Sequence, residues 1–284
     1  MGKWFLIGGA AIVVVAVVAV LIGQSFQYAG VEELTASLIG SAAPPADGTV
    51  DFESFAGLPA PVERYFRHVL KDGQRVIRQV TMNQSGVLRS DTTTERWLPF
   101  TANHLVVPPT KGFIWKARIG LPLAAHITVL DSYVEGLGSG RVSFLSAFGI
   151  DSETGVPELN SGALHRYLAE AVWFPTALLP QSGIEWSPIN DQLAVAALTH
   201  QGTSVSLEFR INEIGEVTGI YSPGRWGKFE DGYERAPWEG RFRDYHVQSG
   251  MRVPRYGEVG WYREGSLELV WKGEVTDARY QFAE

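Results

Sequence analysis

The stretch Thr203–Ile211, "TSVSLEFRI", decides the fold class. Val205, Leu207, Phe209 and Ile211 alternate with Ser204, Ser206, Glu208 and Arg210. Successive side chains on a strand point to opposite faces, so this strand has one covered face and one wet face. "NEIG" at 212–215 turns the chain into "EVTGIYS". The same period of two runs upstream through "VIRQVTMNQSGVLR" (76–89), "ERWLPFTANHLVV" (95–107), "GFIWKARI" (112–119) and "AHITVLDSYVEG" (125–136). Downstream it continues through "PWEGRFRDYHV", "MRVPRYGEVGWYR", "LELVWKGEV" and "DARYQFA". Short strands joined by Gly-, Pro- and Asp-containing turns, with few helices between them, predict a largely antiparallel sheet.

Helical periodicity appears in two places within this region. "PAPVERYFRHVLKDG" (59–73) puts Val62, Tyr65, Phe66, Val69 and Leu70 on one stripe, with Pro61 in the first turn and Gly73 past the end. A second helix is predicted over 161–173, capped by Asn160 or Ser161 and stopped at Pro175. Arg166 and Glu170 lie four apart on it, which reads as a surface ion pair. The segment also gathers Tyr167, Trp173 and Phe174 before two prolines. It is either the lid of a pocket or a core helix with an abrupt end.

Upstream of the strands, Trp4–Gly23 is a run of twenty residues without a charge. At about 1.5 Å per residue it spans the ~30 Å hydrocarbon core of a bilayer. A signal peptide's apolar region is shorter and ends in a small-residue cleavage site. Residues 1–25 are therefore expected to be an uncleaved transmembrane anchor. Lys3 precedes the run, whereas Glu32 and Glu33 are the first charges after it. That places the N-terminus in the cytoplasm and the rest outside the cell membrane, in a single pass. Residues 26–57 read as a short helix (31–39) and a linker around Pro44-Pro45, and residues 58–284 as an extracytoplasmic β-rich domain.

Composition removes several functions. The net charge is −7 and no basic cluster exists, which argues against nucleic-acid binding. The absence of cysteine excludes disulfides, thiolate metal sites and a cysteine nucleophile. The six histidines show no metal-ligand spacing, and no serine sits in a nucleophile elbow. No catalytic residue, metal ligand or cofactor is assigned. The surplus is aromatic: eight tryptophans follow the apolar run. Most should fill the core, and the others line a cavity or face a bilayer. The candidate ligand-binding residues are Tyr167, Glu170, Trp173, Phe174, Trp238, Tyr256, Glu258 and Trp261. By strand alternation Glu258 shares a face with Tyr256 and Tyr262, opposite Val259 and Trp261.

"LHRYLAEAVWFPTALLPQSGIEW" (164–186) and "PWEGRFRDYHVQSGMRVPRYGEVGW" (237–261) together resemble an uncharacterised bacterial family of membrane-anchored proteins. The resemblance spans roughly 58–284 and implies no activity. "FRDYHVQSGMRVPRYGEV" (242–259) is also similar to a strand pair of periplasmic lipoprotein carriers. That similarity implies a curved half-barrel, covered by helices and holding acyl chains. The expected fold is thus α+β: a transmembrane helix, then a curved antiparallel half-barrel with a few covering helices. The expected function is binding of a lipid or other apolar ligand. The alternative is an interaction or scaffold subunit of a cell-envelope complex, with a protein partner and no pocket.

Overall fold

The computed structural model describes residues 2–42, 48–89, 92 and 95–283, with side chains from residue 14 onward. Three α-helices and thirteen strands make up the described chain, with short 3-10 turns between them. Helix α1 is Gly2–Gly40, α2 is Ala60–Val69 and α3 is Pro157–Glu170. The first arm of the sheet holds β1 (Ile77–Leu88), β2 (Leu98–Val107), β3 (Gly112–Gly120), β4 (His126–Val134), β5 (Leu137–Phe144) and β6 (Phe148–Thr154). The second holds β7 (Ile184–Pro188), β8 (Leu193–His200), β9 (Thr203–Ile211), β10 (Val217–Phe229), β11 (Gly232–Gln248), β12 (Met251–Arg263) and β13 (Ser266–Phe282).

All thirteen strands form one antiparallel sheet in the order β6-β5-β4-β3-β2-β1-β13-β12-β11-β10-β9-β8-β7. Two meanders run outward from a central β1–β13 seam, where Val80 faces Tyr280 and Leu88 faces Trp271. The sheet curls: Val142 of β5 and Ile220 of β10 stand eight places apart in the strand order, yet line the same cavity. The antiparallel sheet is the one expected from the alternation, and its curl is the half-barrel that the resemblance to periplasmic lipoprotein carriers implied. The two edge strands, β6 and β7, are consecutive in the chain, so the segment between them must cross the open side. That segment is α3 followed by 3-10 turns at Ala171–Trp173, Pro175–Leu178 and Pro180–Ser182. Proline at the start of the last two turns lacks an N–H, and no α-helix can continue through it.

Helix α2 buries its predicted stripe; Val62, Tyr65 and Phe66 are fully inaccessible. Helix α3 starts earlier than its polar residues suggest. Pro157 opens it from an extended Val156, because a proline at the first helical position gives up an N–H that has no partner there anyway. Asn160 is released from capping: its Oδ1 accepts from the Gly138 amide at 2.7 Å and so ties α3 to β5.

The N-terminal region departs further from expectation. The apolar run and the segment 31–39 are one unbroken helix. Its second half packs on the outer face of the sheet, where Leu38 is buried among Val107, Ile114, Leu130 and Val134. The chain then enters the main core at Val50, ahead of the expected boundary at 58; the Val50 amide donates to the Gln74 carbonyl at 2.7 Å. Residues 43–47, including the Pro44-Pro45 of the expected linker, lie outside the described residues. One helix, residues 14–40 as described, is long and apolar enough to cross a membrane.

Candidate functional site

Beneath the crossing segment lies a cavity of about 520 Å³. Its apolar wall comes from both arms: Ile119, Ile127 and Val129 from the first, Phe242, Val259 and Val270 from the second. Five of the eight tryptophans after the apolar run line it: Trp115, Trp173, Trp238, Trp261 and Trp271. Trp115, Trp173, Trp238 and Trp261 are at the same time buried members of the main core, so most of the tryptophans are core as expected, and the cavity is walled by the core itself. Hydrogen bonds brace the rings. Trp173 Nε1 donates to the Pro254 carbonyl at 3.0 Å, and Trp115 Nε1 to Gln84 Oε1 at 2.8 Å. Trp173 also stands edge-on to Phe242 and Trp271. A ring held at its N–H and edge can leave one face open without collapsing into the space beside it.

Charged groups cross this apolar wall. Arg166 of α3 donates from Nε to Glu170 Oε1 at 2.8 Å and from Nη1 to Asp131 Oδ2 at 2.9 Å. Its guanidinium lies over the rings of Phe113 and Trp115. The pair that spacing alone put on the surface is therefore inside, because the crossing presents this side of α3 to the sheet. Burial pushes the Glu170 carboxyl up despite Arg166, and does the same to Asp131. His104 of β2 is fully buried with Nε2 3.4 Å from Glu170 Oε2, and burial holds it well below the usual histidine value. Both groups are driven toward their neutral forms.

Arg225 of β10 completes the cluster. It stacks over Trp238 and Trp261, and its Nη2 donates to the Gly162 carbonyl at 3.0 Å. Its Nε is buried without an acceptor among the described residues. Burial, then the nearby Arg166, push this guanidinium down to about 10. Asp131, Arg166 and Arg225 also line a smaller recess of about 260 Å³ that continues toward the rim between β5–β6 and the β10–β11 hairpin. There Lys228 reaches Asp151 and Glu153, and the Tyr233 hydroxyl donates to Glu153 at 2.7 Å, linking one arm to the other. Among the described residues no three His, Asp or Glu side chains gather around a common point where a metal could sit.

Of the candidates named from sequence, Glu170, Trp173, Trp238, Glu258 and Trp261 line the cavity. Tyr167 and Phe174 do not; they are fully buried against one another, with ring centroids 5.7 Å apart. Phe174 leaves the helical path at φ −137°, which turns it away from the Trp173 side. Tyr256 is not in the wall either. Its hydroxyl donates to Glu258 at 2.7 Å while Arg243 covers its ring, and Arg241 lies 3.9 Å from the same carboxylate. Asp131, His104 and Arg225 were missed. Strand alternation was enough to place Asp131 with Val129 and Tyr133, and His104 with Ala102 and Val106.

The curled sheet and its cavity define an open antiparallel half-barrel with a charged cluster set into an apolar wall. Residues 56–280 match the model of a family of unknown function, DUF6920, and the chain belongs to that family. No curated protein matches its sequence. Among solved structures it is similar to a LolA superfamily protein from Nitrosomonas europaea, with TM-score 0.41 and 11% identity over 82% of this chain and 94% of that one. It is also similar to a β-barrel-like protein of another domain of unknown function, DUF1849, from Brucella abortus (TM-score 0.24, 9% identity, 73% of this chain and 99% of that one).

Proposed function

We propose that this protein is held in the cell membrane by α1, N-terminus inward, and binds a lipid or other long apolar ligand in its extracytoplasmic half-barrel, residues 58–284. The observation that carries the reading is the 520 Å³ cavity with its tryptophan and aliphatic wall. Ligand pockets usually measure ~300–1,000 Å³ and combine an apolar lining with a few polar groups that fix orientation. Here the ligand's chain lies along Ile119, Ile127, Val129 and Val259, with Trp173 above it. Its polar end faces Arg225, where an acceptor oxygen satisfies the Nε that lacks a partner.

Native mass spectrometry of the full chain tests this. The expected result is a retained lipid mass that Val129→Phe, which pushes a ring into the cavity, removes while the protein stays folded. Neither a retained lipid nor binding of a fluorescent fatty acid in the wild type sinks the reading and leaves the scaffold role.

A further inference from the structure

The position of α1 fixes which end of the half-barrel meets the membrane. Gly23, where the uncharged run ends, packs so closely on the β5–β6 hairpin that a Cβ there would stand 2.7 Å from the Ala147 carbonyl oxygen. The next residue, Gln24, donates from Nε2 to the Leu145 carbonyl at 2.9 Å. Farther along, Leu38 reaches Gly112 at the opposite end of the strands. The residues before Gly23 therefore project past the hairpin end. Val14, Val15, Val17, Val18, Leu21 and Ile22 are 47–68% exposed and touch little of the rest of the protein.

The loops at that end are apolar. Leu123 is fully exposed, held at a left-handed φ of 60°, and Phe144 and Phe148 are 36% and 47% exposed. A non-glycine residue at positive φ is uncommon, and Leu123 gains nothing in water from being held outward there. The two loops are fixed to each other: the Leu145 amide donates to the His126 carbonyl at 2.9 Å, and Ser146 bonds to His126 and Thr128.

Cations stand just behind these tips. Arg118 is level with Ser143, one residue from Phe144, while Lys116 and Arg141 are level with Leu130, three residues from it. At ~3.3 Å per residue that is about 3–10 Å behind the apolar tip. Two grooves that hold these cations, one of about 210 Å³ beside α1 and one of about 450 Å³ over β1–β4, are lined by no Asp or Glu. Arg141 also borders a recess with Asp151 and Glu153 of the neighbouring β6, two carboxylates that share Lys228. A chain of net charge −7 thus gathers Lys116, Arg118 and Arg141 into a basic band where its apolar helix emerges.

We infer that the hairpin end of the half-barrel docks onto an anionic lipid bilayer, with Leu123, Phe144 and Phe148 inserted at the interface and Lys116, Arg118 and Arg141 on lipid phosphates. This rests on the reading of α1 as a membrane anchor. Apolar side chains at the interface with basic residues behind them are how a protein surface binds anionic lipid. The cavity lies at this same end, behind Ile119 and Ile127, which shortens the path of a lipid from the bilayer to it.

The chain has no cysteine, so one introduced thiol carries one label. An environment-sensitive fluorophore is placed at Phe148→Cys, at Val15→Cys in the anchor, and at Val247→Cys, an exposed position near the end of β11 at the far end. The full-length proteins are reconstituted into vesicles of phosphatidylcholine mixed with phosphatidylglycerol, carrying a spin-labelled lipid as quencher. The expected result is quenching at Phe148→Cys several-fold above that at Val247→Cys. It should fall when Lys116, Arg118 and Arg141 are all changed to Gln, and in vesicles of phosphatidylcholine alone. Quenching at Val15→Cys with none above the Val247 level at Phe148→Cys overturns the docking and leaves the anchor standing. No quenching at either site overturns the anchor and the docking together. Strong Phe148→Cys quenching unaffected by the triple change overturns the role given to the cations.

Discussion

The two ends of the half-barrel are built from the same strands and packed differently. At one end, α2 and the 3-10 turns fill the curve. Tyr65, Phe66, Phe174, Leu178 and Phe209 have no more than 1% of their surface accessible, and Thr176 Oγ1 accepts the Ile77 amide at 3.0 Å. At the other end five tryptophans stand around a cavity with six charged side chains in its wall: Arg89, Asp131, Arg166, Glu170, Arg225 and Glu258. Interiors normally close to crystal-like density. The hollow end stays open because its rings are braced by hydrogen bonds and stacked cations, whereas the filled end is closed mainly by apolar contact. Volume at the hollow end is therefore held by polar interactions, and the two ends should respond differently to the same kind of mutation.

A large effect is expected at Arg166. Arg166→Met leaves Asp131 and Glu170 without their shared cation; breaking a fully buried pair from one side costs about 3–5 kcal/mol, and the lower end of that range is expected here, where the Asp131 side chain is 36% exposed. Denaturant unfolding measures this; a loss below about 1 kcal/mol would mean that the cavity is wet enough to screen the two carboxylates. Next comes the contrast between adjacent aromatics. Phe174→Ala, at the filled end, should cost ~3–5 kcal/mol. Trp173→Ala removes a larger ring but should cost less, about 1–2 kcal/mol, because the indole borders the cavity, where fewer partner atoms surround it. The reverse order would erase the distinction between the ends.

The third effect depends on pH. His165 lies on α3 beside the cluster, and burial first and Arg225 second push it down to about 4. A histidine depressed in the folded state contributes stability that is full above its unfolded value of 6.5 and is lost as pH falls toward the folded value. Between pH 6.5 and 5 the loss should be about 2 kcal/mol, and His165→Gln should flatten that part of the stability curve. The smallest effect is expected at Glu63. It pairs with Arg67 at 2.8 Å, four residues apart, as Arg166 does with Glu170, but out in solvent. Glu63→Ala should cost about 0.5 kcal/mol by the same unfolding measurement. Two ion pairs of equal spacing and length would then differ several-fold in their effect on stability, through burial and through the second carboxylate, Asp131, that Arg166 also holds.

That pair also shows where the sequence stops being legible. The α2 stripe and the alternation of β9 could be read directly, because a covered face imposes its period on the residues. The unbroken α1 could not: a helix ending after Gly23 and one continuing through 31–39 satisfy the same local propensities, and only docking of Leu38 on the sheet decides between them. The inward placement of Arg166 and Glu170 depends on which side of α3 the crossing turns to the sheet, and no local period records that. Asp131 and His104 were readable by parity, but a single charge on an apolar face carries no label of purpose. Arg225 was not readable even so. A register shift between Ser222 and Arg225 reverses the alternation just ahead of it, so counting from Ile220 puts it on the wrong face.

The crossing from β6 to β7 has a mechanical consequence. A flap hinged at one end can swing aside and leave its frame unchanged. This segment is tied at both ends, like a string across a bow, and Lys228 and Tyr233 add a second tie from rim to rim. It cannot open unless the rims move apart, and the rims cannot move apart unless the whole arc flattens. Widening the cavity therefore bends the β1–β13 seam at the midpoint of the arc, and the cost of admitting a thicker guest is borne by the stiffness of thirteen strands rather than by a loop.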